Sequence, residues 1–295
     1  MALKALFNTM KKEGYIIKPL DNYLLSLNKE TNDRAIDVNA PSQVGRCKRE
    51  IFYARKGYEQ DPYCVDARAR RIFDNGTHMH ERIQTYLKEQ GMLIMDEVPL
   101  RNDVYNIQGH TDGFIQLTKH EIGILELKSI NDNGFKSLND AKLEHKEQAM
   151  VYIYCAEHRR QYLRDTYKTE DEFKASEKDR IKYYKTLYTH LKDGSKYTRE
   201  EKLNKKVSEH LKADDILFHL AREINKVVFL YENKNTQELK EFTVRLDDEL
   251  MDSILEKYVE INDCVENDVL PQREGTSKSA NPCRFCNYTY NCWVI

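Results

Sequence analysis

The residues with the most chemical content are Gly109-His110-Thr111-Asp112-Gly113, followed fourteen residues after Asp112 by Glu126-Leu127-Lys128. Side chains two apart on a strand share a face, so an extended segment points Glu126 and Lys128 the same way. A hairpin closed by the turn Thr118–Glu121 brings Asp112 towards Glu126. Two adjacent carboxylates repel unless a divalent cation neutralises them, and Mg²⁺ takes carboxylate and water ligands. A lysine beside such an ion can position a nucleophilic water or stabilise charge on a pentacovalent phosphate. His80, in Gly76-x-x-x-His80, is a further candidate metal ligand. Gln148 and Tyr152, four apart on one helix face, offer hydrogen bonds to phosphate or water.

The acidic-x-Lys spacing recurs at Glu144/Lys146, Glu172/Lys174, Glu200/Lys202, Glu232/Lys234 and Glu238/Lys240. Most of these lie in polar segments, where ion pairs on helix faces account for them. Glu232/Lys234 is the serious rival because it follows the apolar Val227–Leu230. It falls in a turn, however, and lacks a well-placed Gly-x-x-Asp-Gly strand upstream.

A second constellation is Cys283-x-x-Cys286-x5-Cys292, in a tail with few large aliphatics. A two-residue gap lets two thiolates reach one ion or cluster, but three ligands are one short of a closed four-thiolate site. Cys47 is the best candidate for the fourth, stapling the two ends of the chain together. The spacing does not separate zinc from an iron–sulfur cluster. Cys64, Cys155 and Cys264 are expected to pack.

These side chains need elements to position them. Short helices are expected over residues 1–30 (Leu3, Leu6, Phe7, Met10; Leu20, Tyr23, Leu24, Leu27), then a loop over 31–44. Helices are predicted for Gly45–Gly57 and Asp66–Gln90. Strands are predicted at Ile94–Leu100, Val104–Gln108, Phe114–Leu117 and Ile122–Ile130, followed by a helix at Leu138–Glu157. A polar, Lys- and Tyr-rich stretch from His158 to about Leu220 reads as helices joined near Asp193-Gly194. Strands Lys226–Tyr231 and Leu239–Leu246, a helix Asp247–Val265 and an irregular Cys-rich tail complete the chain. The order predicts one α/β domain with a mixed central sheet flanked by helices.

Composition sets outer limits. With 295 residues the chain can bury a sizeable core, and 40% hydrophobic content is too high for a disordered chain. An odd count of seven cysteines in a chain of this length rules out a small disulfide scaffold. No apolar run approaches the ~18–20 residues of a membrane span, and Met1–Lys12 lacks a long apolar stretch. A secretory signal is therefore not expected, and the expected location is the cytoplasm. The net charge of −2 argues against a wholly basic nucleic-acid coat but allows a local basic groove. Residues 157–212 hold 16 Lys/Arg against 11 Asp/Glu, a net of +5, interleaved with Tyr162, Tyr167, Tyr183, Tyr184, Tyr188 and Tyr197. Such an arm could track a phosphate backbone and stack bases, or be a solvated helical hairpin with its Tyr on the packing face.

Taken together, the motifs resemble the RecB-like and AddB-like iron–sulfur nucleases of the PD-(D/E)xK superfamily, a group that includes the CRISPR-associated adaptation exonuclease. The matching residues, in the family's order, are Cys47, His80, Asp112, Glu126-x-Lys128, Gln148-x-x-x-Tyr152 and the cysteines Cys283, Cys286 and Cys292. The resemblance implies a restriction-endonuclease-like core, a [4Fe–4S] cluster on the four cysteines, and Mg²⁺ or Mn²⁺. The ion would be held by His80, Asp112, Glu126 and the Leu127 carbonyl. Lys128 would position the attacking water, and Gln148 and Tyr152 would orient the substrate strand. The implied activity is hydrolysis of DNA phosphodiesters, often at single-stranded ends. About seventy residues separate the Gln148–Tyr152 helix from the next strand, longer than the family's usual connection. The expected organisation is one nuclease domain over 1–295, a helical insertion at 158–222 open to a protein partner or oligomer, and a segment 280–293 closing onto Cys47. Two rival readings are a non-catalytic DNA-binding or scaffold protein on the same fold and a zinc-stapled nuclease. CRISPR adaptation, recombination and phage DNA processing are all compatible pathways.

Overall fold

Apolar-rich segments over 93–130 form three antiparallel strands: β1 (Leu93–Asn102), β2 (Ile107–Thr118) and β3 (Glu121–Ile130). The structure is a computed structural model that describes residues 15–26, 35–61, 66–194 and 196–294. Strand β4 (Lys226–Asn233) lies parallel to β3, and β5 (Leu239–Arg245) lies antiparallel to β4. The result is one five-stranded mixed sheet in the order β1-β2-β3-β4-β5. Parallel neighbours need a crossover, since the chain leaves β3 at the end opposite to where β4 begins. Among the described residues three α-helices precede the sheet: α1 (Ile17–Ser26), α2 (Lys48–Arg55) and α3 (Ala67–Glu89). The crossover contains α4 (Asp132–Lys136), α5 (Leu143–Thr166), α6 (Glu170–Ala175), α7 (Glu177–Leu187) and α8 (Arg199–His219). Helices α9 (Asp248–Glu266) and α10 (Thr289–Val294) follow β5.

Helix starts follow capping chemistry. The Asp66 carboxylate accepts from the Ala69 N–H at the start of α3, and Thr198 with Glu201 forms a reciprocal capping box on α8. The sheet is covered on both faces. On one, Met79 and Ile83 of α3 pack on Leu93, Ile115, Leu125, Leu127 and Val228. On the other, α5 and α9 pack Met150, Ile153, Ile254 and Tyr258 on Phe114, Ile124 and Phe229. Residues Gln148–Ile153 of α5 are all buried, because the sheet lies on one side and α8 and α9 on the other. Among the described residues no helix is long and apolar enough to cross a membrane.

Several boundaries differ from the sequence expectation. The segments expected as separate strands, Val104–Gln108 and Phe114–Leu117, join into the single strand β2, with Val104 in the turn before it. Glycine permits the continuous strand at Gly113, where a Cβ would stand 2.8 Å from the Met95 carbonyl and 2.6 Å from a Leu93 methyl. Helix α5 begins five residues later and runs nine residues further than the Leu138–Glu157 expectation. The polar residues that suggested an end form the outer face of a helix anchored at Leu163, which is buried. The expected loop 31–44 contains a 3₁₀ turn at Pro41–Gln43, and the tail contains another at Cys283–Phe285. Residues Leu3, Leu6, Phe7, Met10, Leu27, 31–34 and Cys64 lie outside the described residues.

Candidate active site and cysteine cavity

Strands β2 and β3 are hydrogen-bonded from Thr118/Glu121 as far as Gly113/Leu125 and then part. Side chains take over the backbone groups left behind. The Thr111 hydroxyl donates to the Leu125 carbonyl at 2.8 Å, and the Leu127 N–H donates to Asp112 Oδ2 at 2.6 Å. The register carries Asp112 opposite Glu126, as the hairpin predicted. The gap between the strands is where both helical layers reach in. From α3, His80 Nδ1 stands 3.1 Å from Asp112 Oδ1. From α5, Gln148 Oε1 accepts from Lys128 Nζ at 3.1 Å.

Glu126 is 4% exposed. Its Oε1 accepts from Lys128 Nζ at 2.7 Å, while its Oε2 is buried with no hydrogen-bond partner. Burial first, then the charge on Asp112, pushes its carboxyl above the usual range, and Lys128 only partly offsets this. Burial disfavours the imidazolium of His80, but the Asp112 carboxylate outweighs it and holds the ring above its ordinary pKa. This pocket therefore favours added positive charge. The donor types suit a hard cation. Yet among the described residues no group of three or more His, Cys, Asp or Glu side chains is arranged to hold a metal ion as it stands. Instead, His80 contacts Asp112 and Lys128 contacts Glu126.

Gln148 and Tyr152 have their polar atoms engaged inside the protein. Gln148 Nε2 donates to the Tyr152 hydroxyl at 2.7 Å, and that hydroxyl donates to the His110 carbonyl at 2.8 Å. They are 6% and 3% exposed, so in this geometry they orient Lys128 and the β2 backbone rather than a strand of substrate.

Two nearby residues escaped the sequence reasoning. Glu97 lies between Asp96, paired with Gly113, and Val98, paired with Thr111, which sets it opposite Asp112. Glu97, Asp112 and Glu126 thus form a row of carboxylates across three strands. Glu97 as a residue is exposed, but desolvation of its carboxyl and then the charge on Asp112 push it above the usual carboxylate range. Gln84, one helical turn beyond His80 on α3, donates to the Asp112 carbonyl at 2.8 Å and to Glu97 Oε1 at 3.4 Å. The i,i+4 spacing of His80 and Gln84 was legible, but the bulge between Leu93 and Met95 that sets the Glu97 register was not. The rival Glu232 is buried on β4 and pairs with Arg82 of α3, while Lys234 follows the strand.

Cys47, Cys283, Cys286 and Cys292 line one cavity, although more than 200 residues separate Cys47 from the rest. Cys47 stands at the N-cap position of α2, where its side chain makes no capping hydrogen bond. The Tyr288 N–H donates to Cys286 Sγ at 3.4 Å, and Arg49 Nη1 approaches Cys292 Sγ at 3.7 Å. A Cβ on Gly275 would stand 2.1 Å from Cys283 Sγ, so only glycine fits there. All four thiols are free, and burial is the leading influence that raises Cys47 and takes Cys286 up to about 12. Four sulfurs suit zinc or an iron–sulfur cluster chemically. Cys155 is fully buried in the core and Cys264 half-buried against the cysteine region.

No protein-family model matches the chain, and no curated protein matches it. Among solved structures, that of SSO0001 aligns over 96% of this chain and 98% of its own, with 14% identity and a TM-score of 0.43. An alkaline exonuclease, LHK-Exo, from Laribacter hongkongensis aligns over 79% of this chain and 90% of its own, with 12% identity and a TM-score of 0.43. LHK-Exo in complex with dAMP aligns over 80% and 91%, with 12% identity and a TM-score of 0.41. Similarity at this level assigns no activity, and the functional reading rests on the residues of the site.

Proposed function

We propose that this chain is a divalent-metal-dependent DNA nuclease with a PD-(D/E)xK core, acting as an exonuclease on single-stranded ends. The observation that carries the reading is the meeting of His80, Asp112, Glu126 and Lys128 where β2 and β3 part, with one buried Glu126 oxygen unbonded. His80, Asp112 and Glu126 would hold Mg²⁺ or Mn²⁺, with the Leu127 carbonyl as a backbone ligand. When bound, the ion supplies Lewis-acid stabilisation of charge on the phosphate. Lys128 positions the attacking water and stabilises charge developing on the phosphate oxygens. The water oxygen bonds to phosphorus as the bond to the leaving sugar oxygen breaks, and that oxygen takes up a proton. Gln148 and Tyr152 position Lys128.

Within this reading residues 1–295 form one nuclease domain, 158–222 are a helical insertion, and 280–293 close onto Cys47. The cysteines carry a structural metal group, a [4Fe–4S] cluster or zinc. Iron and zinc content after anaerobic purification distinguishes the two. The purified chain should cut end-labelled single-stranded DNA only with Mg²⁺ or Mn²⁺. Lys128→Ala should abolish cutting while circular dichroism stays unchanged; undiminished cutting by that variant overturns the assignment. A second reading, non-catalytic DNA binding, is favoured by the engagement of the site's side chains with one another. Tight DNA binding without cleavage under either ion would decide for it.

A further inference from the structure

Beneath the helical arm, α5, α7 and α8 and the β1–β2 turn enclose a cavity of about 490 Å³, within the size range of small-molecule sites. Its floor is a built polar group. Asp214 is 2% exposed and accepts from Arg159 Nε and Nη2, both at 2.8 Å, from Arg180 Nη1 at 3.2 Å and from the Tyr184 hydroxyl at 2.7 Å. Aromatic rings form the walls. The Arg159 guanidinium lies 5.1 Å from the centre of the Tyr162 ring, and Tyr162 is 49% exposed. Tyr183, tied by its hydroxyl to Asp103 in the β1–β2 turn, stands as another wall.

The Tyr residues of the arm thus divide. Tyr184 and Tyr188 are packed, stacking on or bonding His210, whereas Tyr162 and Tyr183 face this cavity with substantial exposure. Arg159 donates through Nε and Nη2, and the exposed Asp179 carboxylate offers an acceptor at the same cavity.

The charges lining the cavity balance: Arg101, Arg159 and Arg180 against Asp103, Asp179 and Asp214. A bare anion gains little from such a lining. A neutral, planar heteroaromatic group with donors and acceptors on its edge matches it, stacking on Tyr and guanidinium planes and reading Arg and Asp. Arg159 stands seven residues beyond Tyr152 on α5, two turns or roughly 10 Å along the axis from the network that holds Lys128.

We propose that this cavity binds an unpaired nucleobase, the base belonging to a strand that passes the candidate active site. Only the source of the base rests on the nuclease reading. The cavity itself is tested by isothermal titration calorimetry without divalent ion, using the four deoxynucleosides and, separately, inorganic phosphate. At least one nucleoside should bind at a single site, and phosphate should not. Tyr162→Ala, at an exposed ring, should weaken binding between about five- and a hundredfold, the range seen for loss of one stacking partner. Tyr162→Trp should retain it, and Lys128→Ala should leave it unchanged. A short single strand binding more tightly than the nucleoside assigns the base to a strand, and equal affinity assigns it to free nucleosides. Absence of nucleoside binding, binding indifferent to Tyr162→Ala, or binding of phosphate alone overturns the proposal. No nucleoside binding to a protein that cuts DNA removes this proposal alone. Nucleoside binding to a protein that cuts nothing removes the nuclease reading alone.

Discussion

Tyr152→Phe isolates what one buried hydroxyl does. The ring is 3% exposed and phenylalanine keeps its packing, so the change is confined to the oxygen. That oxygen bridges Gln148 Nε2 at 2.7 Å and the His110 carbonyl at 2.8 Å. Removing it leaves a donor and an acceptor without this partner in a largely buried site. Each unsatisfied buried group costs about 1–3 kcal/mol, partly offset because the phenolic oxygen no longer needs desolvating. A net loss of roughly 2–4 kcal/mol follows, or a fall in Tm of roughly 3–6 °C for a chain of 295 residues. Gln148 also loses the bond that fixes its amide, and Lys128 then loses a fixed acceptor. Cleavage should therefore fall between about ten- and a hundredfold in kcat, with little change in KM. Equilibrium urea unfolding of Tyr152→Phe, Gln148→Leu and the double variant tests this directly. The double variant should cost about 1–2 kcal/mol less than the two single losses added, because Gln148 is no longer there to be left unpaired. A Tyr152→Phe protein within about 0.5 kcal/mol of the parent, or strictly additive losses, would refute the reasoning.

Two further outcomes follow from the same structure. Glu126 has its carboxyl raised above the unfolded value by burial and then by Asp112. The folded state therefore binds the extra proton, and stability falls as pH rises from the ordinary glutamate range through the raised value. In chelator, thermal melts should show this fall for the parent and a flatter profile for Glu126→Gln, which should also be inactive. Added Mn²⁺ should restore stability at the high-pH end of the parent only, and parallel profiles would count against the charge argument. At the cysteines, Gly275→Ala puts a methyl 2.1 Å from Cys283 Sγ. Bound iron or zinc, measured by elemental analysis, should fall well below that of the parent, and unchanged metal content would mean that the tail shifts freely.

Much of the site was readable in the residues. The two-residue period of a strand put Glu126 and Lys128 on one face, and the hairpin placed Asp112 across from them. The four-residue helical period paired Gln148 with Tyr152. What they touch was not readable: a hydroxyl apparently suited to phosphate is instead bonded to the His110 carbonyl. Glu97 was invisible because one bulge changes which residue faces Asp112. The Glu232/Lys234 pair matched the spacing of Glu126/Lys128, but Arg82, on a helix about 150 residues away, claims Glu232.

Local periodicity and chain order determined the elements, the hairpin and the grouping of chemical residue types, because these depend on contacts a few residues apart. Tertiary structure alone decided that β2 and β3 part at Gly113, that α3 and α5 both reach the gap, and that Cys47 meets the tail. It also turned a basic, tyrosine-rich run into a charge-balanced cavity, by burying Asp214 between Arg159 and Arg180. Those outcomes are set by which distant surfaces exclude water together. That depends on the packing of whole elements, and residue spacing does not encode it.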